Sequence, residues 1–492
     1  MNGNAENHYD VVIIGAGISG INAGYRVQTQ CPGRSYAILE SRNNLGGTWD
    51  FWKYPGIRSD SDLYTFGFPW RPWPEQQSIA DGPSIIKYLN DTASMFGIDK
   101  KIRLRHKLLA ANWSSKAQQW TLTVEHDGEK KIYTAGYIIF GTGYYDYENP
   151  LPAVIPGIDN FKGEVVHPQF WPENLDYTDK KIVVIGSGAT AVTLLPALAQ
   201  KAAKVTMLQR TPTYVMSLPS VDNTGWLAHK LLPAWLAFQI VRVKFLVIPF
   251  LFFRLCRAYP NAAKRIMRRL TKNQLPDNVP WDPHFNPQYN PWEQRLCVCP
   301  DGDFYRALQK GRADVVTGHI KTVRENDILL ENGESVEADI VVTATGLKIQ
   351  LAGGADISVD GVMAEPGKKF LWRGVMLQDL PNASFIIGYT NASWTLGADA
   401  TAQMATRILN HMRKNGYSSV VPRLSPDEEA SMTAAPMMNL KSTYLERAKD
   451  LIPKSGDKAP WMARSSYFRD MWDIKFANLD DGLEFRREGL MG

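Results

Sequence analysis

The feature that most constrains this 492-residue chain is a glycine pattern that occurs twice. DVVIIGAGISG (Asp10 to Gly20) is an apolar, β-branched run, then G-x-G-x-x-G, then a helical stretch. Such a run reads as a buried parallel strand. Gly15 permits the tight turn, Gly17 lets the backbone approach a pyrophosphate, and Gly20 lets helix and strand pack closely; Ser19 completes the turn. The bare N–H groups and positive dipole end of the following helix then face the phosphates. The next strand, SYAILE, ends in Glu40, which is placed to accept ribose hydroxyls. The pattern returns in KIVVIGSGATA. There Gly186, Ser187, Gly188, Ala189 and Thr190 form the turn, and Ala191 replaces the third glycine, a packing position that accepts alanine. The strand after it carries no acid but Gln209, Arg210 and Thr211. An arginine there welcomes a 2′-phosphate that an acid would repel.

Two such turns imply two dinucleotides, the first with free ribose hydroxyls and the second NADP. A chain that binds FAD and NADPH is a flavoprotein oxidoreductase. The expected fold is α/β, with two Rossmann-like dinucleotide-binding domains and a mostly helical insertion. The first part of the FAD domain is expected over 1–148, a linker over 149–178, and the NADP domain over 179–221 and 295–346. The helical lid is expected over 222–294, and the rest of the FAD domain with the C-terminal region over 347–492. YIIFGTG and DIVVTATG each read as a strand ending at a Thr-Gly turn, where the chain leaves and re-enters the FAD domain. SFIIGYTNASWTLGADATAQ reads as a strand and a helix whose N-terminus lies near the flavin ring.

Composition narrows the class. A net charge of +5 is small for this length and does not imply nucleic acid. Cys31, Cys256, Cys297 and Cys299 give neither zinc hooks nor a disulfide framework, so they read as free thiols of a reducing cytosol. No cysteine pair sits near the first turn, which excludes a disulfide reductase. The polar start, MNGNAENHYD, lacks a signal-peptide apolar region, so a cytoplasmic, unsecreted protein is expected. LLPAWLAFQIVRVKFLVIPFLFF (Leu231 to Phe253) is very apolar, but Arg242 and Lys244 sit in its middle, and Pro233 and Pro249 interrupt it. A charge at the centre of a spanning helix costs at least ~2.5 kcal/mol. A buried or lipid-facing helical hairpin is therefore expected rather than a span, as a substrate lid that allows peripheral membrane contact.

FKGEVVHPQFWP (Phe161 to Pro172) fits neither a strand nor a helix pattern and reads as a rigid, aromatic-studded loop. It matches F-x-G-x-x-x-H-x-x-x-W-P at Phe161, Gly163, His167, Trp171 and Pro172, just before the second glycine turn. In this it resembles the type I Baeyer–Villiger monooxygenases. GGTWDFWKYPGIRSD resembles a second motif of that family, and DIVVTATG a third. YNPWEQRLCVCPDGDFY and GYTNASWTLGAD look like its ethionamide-activating branch. The likeness runs from Asp10 to about Leu483.

The resemblance implies a monooxygenase that uses FAD, NADPH and O2 to convert a lipophilic ketone into an ester or lactone, with thioethers and thioamides as further substrates. Gly47, Thr48, Trp49, Asp50 and Leu108 would line the FAD. Arg58, Ser59 and Asp60 would lie between flavin and nicotinamide. Arg295 falls on the catalytic arginine, a permanent cation for charge that builds on oxygen, and Asp60 would orient it as the partner a buried arginine needs. His167 would be a conformational anchor in a hinge between the cofactor sites. Gln294 stands where many relatives keep lysine, so NADPH selectivity would rest on Arg210 and Thr211. The rival is a flavin monooxygenase acting only on nitrogen and sulfur, whose loop usually lacks the Trp-Pro ending.

Overall fold

The run Val11-Val12-Ile13-Ile14 is wholly apolar because it is covered on both faces: Val11 and Ile13 enter one core, Val12 and Ile14 another. Burying each such side chain contributes about 1.5–3 kcal/mol. A computed structural model describes residues 7–438 and 447–487. Its strand His8–Ile14 lies parallel to Tyr36–Leu39 on one side and to Glu129–Phe140 on the other. His106–Ser114 and Gln119–His126 extend this sheet antiparallel through the start of Glu129–Phe140. Late segments complete it, Asp356–Val359 beside His106–Ser114 and Ala383–Phe385 beside Glu129–Phe140. Helices α1 (Ile18–Gln30) and α2 (Gly82–Met95) share the core on one face.

The second glycine turn belongs to a smaller, all-parallel sheet. Its order is Ala313–Thr317, Lys204–Gln209, Lys181–Ile185, Ile340–Thr343 and Glu164–Val166. Helix α3 (Ala189–Leu198) follows the turn. The edge strand Glu164–Val166 corrects the expectation that Phe161 to Pro172 is all loop, and Pro168–Phe170 adds a 3-10 turn. Only three residues pair, too few for an alternating pattern to show. Phe161 plugs into the core on one face of this sheet and Trp171 into the core on the other. A Cβ on Gly163 would lie 2.2 Å from the Asp339 carbonyl oxygen, so the chain passes there only as glycine.

The insertion consists of α4 (Asn223–Leu231), α5 (Ala234–Ala258) and α6 (Pro260–Lys272). The expected hairpin within Leu231 to Phe253 is corrected: Pro233 only caps α5, and Pro249 lies inside one continuous helix. The helix is long and apolar enough to cross a membrane by length and composition. Its charges are nevertheless used within the protein. Arg242 is buried and donates to the Tyr64 carbonyl at 2.5 Å and the Gly67 carbonyl at 3.4 Å. Lys244 donates to Asp222 at 2.5 Å. Helix α7 (Asp303–Gln309) packs beside α3. Helix α8 (Trp394–Asn415) lies along α1, where Arg26 donates to both Asp399 oxygens at 2.7 and 2.9 Å. Helix α9 (Tyr467–Phe476) packs on α8.

Candidate active site

The two glycine turns are built alike. Gly15 has φ +96°, and a Cβ there would lie 2.8 Å from the Gly141 carbonyl oxygen. Gly186 has φ +131°, and its Cβ would lie 2.2 Å from the Ala344 carbonyl oxygen. Gly141 and Ala344 directly follow the strands of YIIFGTG and DIVVTATG, so each of those motifs backs a phosphate turn. Helices α1 and α3 start after Gly17 and Gly188 with no side-chain cap, whereas Asp81 caps α2 at 2.8 Å. Their N–H groups are thus left for an anion. Open space surrounds the Gly188 α-carbon. These cradles fit the pyrophosphates of two dinucleotides.

A cavity of about 980 Å³ lies between the two units. Gly15, Gly17, Ser19 and Glu40 line it from the first turn, and Ala189 and Thr190 from the second. Gly47, Thr48, Trp49, Arg58, Asp60, Leu108 and Arg295 also face it. Glu40 is buried, accepting from the Ala16 N–H at 2.7 Å and the Arg42 N–H at 2.9 Å, which fixes its carboxylate beside the turn. The Trp394 indole, at the start of α8, donates to Ser19 at 2.9 Å. Gly186, Ser187, Gly188, Arg210 and Thr211 lie outside this lining. Ser187 donates to the Thr211 carbonyl at 2.8 Å, so the second turn holds the exposed Arg210–Thr211 pair beside it. Gly20 and Ala191 also lie outside the lining, on the packing side of their helices.

Three expectations are corrected. Asp50 does not line the cavity: its carboxylate accepts from Arg42 at 2.5 Å, and Arg42 is the one that faces the site. Ser59 is buried and donates to the Ser61 carbonyl at 2.6 Å, because its loop turns back on itself there. Arg295 is exposed to the cavity rather than buried. Asp60 and Arg295 still share a neighbourhood. Burial pushes the Cys297 thiol up to about 12; Asp60 pushes it the same way, while Thr213 and Arg295 oppose.

The sequence reading missed several participants. Asp303 of α7 accepts from both terminal guanidinium nitrogens of Arg58. Burial raises the Tyr54 hydroxyl's pKa, Asp60 adds to it, and a hydrogen bond to Thr190 of α3 opposes it. Tyr145 donates to Thr48 at 2.9 Å and accepts from the Trp52 indole at 2.8 Å. Asp62 accepts from the Thr65 N–H and hydroxyl, both at 2.7 Å, and burial pushes its carboxyl up to about 6. An aspartate just before a short helix was the available signal for Asp62. His167 lies outside the cavity lining. Its Nδ1 accepts from the Gln169 N–H at 3.2 Å, and the Gln169 amide donates to the Asp146 carbonyl at 2.7 Å. Burial lowers the pKa of His167, so the ring favours its neutral form.

Comparison with known proteins agrees with this geometry. Residues 8–236 match the family described as flavin-binding monooxygenase-like. The FAD-containing monooxygenase EthA of Mycolicibacterium smegmatis is 47% identical, over 96% of this chain and 96% of its own. A steroid monooxygenase bound to NADP superposes with a TM-score of 0.75 at 18% identity, covering 98% of this chain and 100% of that one. Cyclohexanone monooxygenase bound to ε-caprolactone superposes with a TM-score of 0.74 at 20% identity, covering 97% and 100%. At those identities the structural likeness is one of fold.

Proposed function

The chain belongs to the FAD-containing monooxygenases, and from that footing we propose that it is a Baeyer–Villiger enzyme, inserting one oxygen of O2 beside a ketone carbonyl to give an ester or lactone. Oxygenation of thioethers and thioamides is a second activity of the same site. The observation that supports this reading is Arg295, exposed in a cavity onto which the first residues of both α1 and α3 also open.

Each part of the site has a task. The N-terminus of α1 would hold the FAD pyrophosphate, and Glu40 would accept from the ribose. The N-terminus of α3 would hold the NADPH pyrophosphate, and Arg210 with Thr211 would take the 2′-phosphate. When bound, FAD and NADPH would supply the two electrons that activate O2 for transfer to the substrate. Arg295 meets the negative charge that then develops on oxygen, with a guanidinium that stays charged at any working pH. Asp60, which also lines the cavity, is the acid that would orient it. Trp49, Trp52 and Tyr145 give the cavity an apolar wall that keeps water from the reacting atoms.

The test is turnover of phenylacetone and 2-octanone, with NADPH consumption compared against ester formed. Ester in step with NADPH supports the proposal. Oxygenation of thioethers or amines with no ester would leave the nitrogen- and sulfur-oxidising alternative.

A further inference from the structure

Residues 223–276 contain ten lysines and arginines and no aspartate or glutamate, while the whole chain is only +5, so the rest is net acidic. Arg242 is buried and Lys244 is paired with Asp222. Arg254, Arg257, Arg265, Arg268, Arg269 and Lys272 are exposed. Beside them lies an apolar surface. Ile240, Val243 and Leu251 face out of α5, with Val243 53% and Leu251 58% exposed. Leu227 and Leu231 continue it on α4. Phe468 of α9 meets Phe250 of α5 at 5.4 Å, and Trp472 and Phe476 carry the stripe on at four-residue spacing, Trp472 being 65% exposed.

The opposite side of α5 is fixed to the body. Ala237, Val241 and Cys256 are buried there, and Arg242 is bonded to backbone carbonyls. The helix therefore lies along the protein and cannot also cross a bilayer. A second copy is a poor cover, because a two-fold interface would set this acid-free cationic surface against itself. An anionic lipid surface satisfies both halves, taking apolar side chains below and cations at its headgroups. The same helices open inward: Ile248 and Leu255 of α5, with Ile266 and Leu270 of α6, both line the cavity and are exposed.

We propose that the α4–α5–α6 face and the stripe on α9 sit on an anionic lipid bilayer, with the cavity mouth between α5 and α6 opening toward the acyl phase. Membrane attachment stands apart from the oxygenation reading. Delivery of lipid-dissolved substrate rests on that reading.

The test is co-sedimentation of the full-length, FAD-loaded protein with vesicles of phosphatidylcholine alone and with added phosphatidylglycerol, at low and high salt. Strong binding to the anionic vesicles, weakened by salt, is expected. Arg265→Gln and Arg269→Gln should each weaken it by about fivefold. Val243→Glu with Leu251→Glu should abolish it. Neither residue lines the cavity, so turnover of phenylacetone should be unchanged while turnover of a long-chain ketone carried in vesicles falls. Should the double variant not fold, Arg265→Gln decides the matter through its salt and lipid dependence. Absence of binding to either vesicle would overturn the proposal. So would a wild-type dimer by light scattering that Val243→Glu turns into monomer, since a second copy would then cover the face. Unchanged long-chain ketone turnover by a variant that no longer binds would overturn the lipid route alone.

Discussion

Arg58 holds both carboxylate oxygens of Asp303, and this ion pair bridges the loop beside the first nucleotide turn and helix α7 of the second unit. Arg58 also lines the cavity, so one side chain faces the reacting space and braces the two units around it.

The brace predicts coupling. Both groups are partly buried, which places their interaction between an exposed pair and a fully buried one, at about 1–3 kcal/mol. A double-mutant cycle of Arg58→Ala and Asp303→Ala, read by chemical denaturation of the FAD-loaded protein, should return that coupling. Additive losses would show that the two units are held by other contacts.

Arg295→Ala should leave FAD content and flavin reduction by NADPH intact. Oxygenation should slow about a hundredfold or more, as loss of a donor to developing charge does. NADPH would then yield hydrogen peroxide instead of ester. Arg295→Lys should rescue poorly, because a point ammonium lacks the planar fork. Stopped-flow traces with product analysis decide; ester at near wild-type rate would remove Arg295 from the chemistry.

Arg210→Ala should raise KM for NADPH roughly ten- to a hundredfold, the worth of a charge-assisted contact of about 1.5–3 kcal/mol. KM for NADH should stay nearly the same. Equal loss with both coenzymes would assign Arg210 to the fold instead.

Asp62 predicts a pH dependence. Its carboxyl is pushed up to about 6 by burial, above its value of 3.8 in the unfolded chain. Between those values the folded form binds the extra proton, so stability falls as pH rises from about 4 through 6, by at most ~3 kcal/mol. Asp62→Asn keeps an N-cap acceptor while removing the charge. The variant should melt a few degrees above wild type at pH 7.5 and close to it at pH 5. Equal melting at both pH values would mean that Arg242 already offsets the ionised carboxylate.

The glycine turns were legible because close approach to phosphate and to a backing strand leaves one residue type at a fixed spacing. Asp50 and Ser59 were misplaced because a motif gives order along the chain, not the side to which each residue turns. The partner of Arg58 was invisible because Asp303 lies 245 residues away. Pro249 was read as a break, although a helix docked along one side keeps enough neighbouring hydrogen bonds to pass through a proline. The strand Glu164–Val166 was hidden by its brevity, although its two valines favour pairing.

The larger sheet is finished by Asp356–Val359 and Ala383–Phe385, and the long helix that packs along α1 is the late α8. The second unit closes earlier, with Ile340–Thr343. During synthesis, the unit whose first strand leaves the ribosome earliest must therefore wait for the other to be made. Its first apolar strands stay unsealed until residues beyond 400 have emerged, a long-range closure that slows folding and exposes the chain to aggregation. The NADP-type turn has its backing once Ile340–Thr343 has paired, whereas the FAD-type site still waits for α8, whose Trp394 donates to Ser19. Added FAD should therefore rescue soluble yield by trapping a late step, whereas added NADP should act on an earlier one.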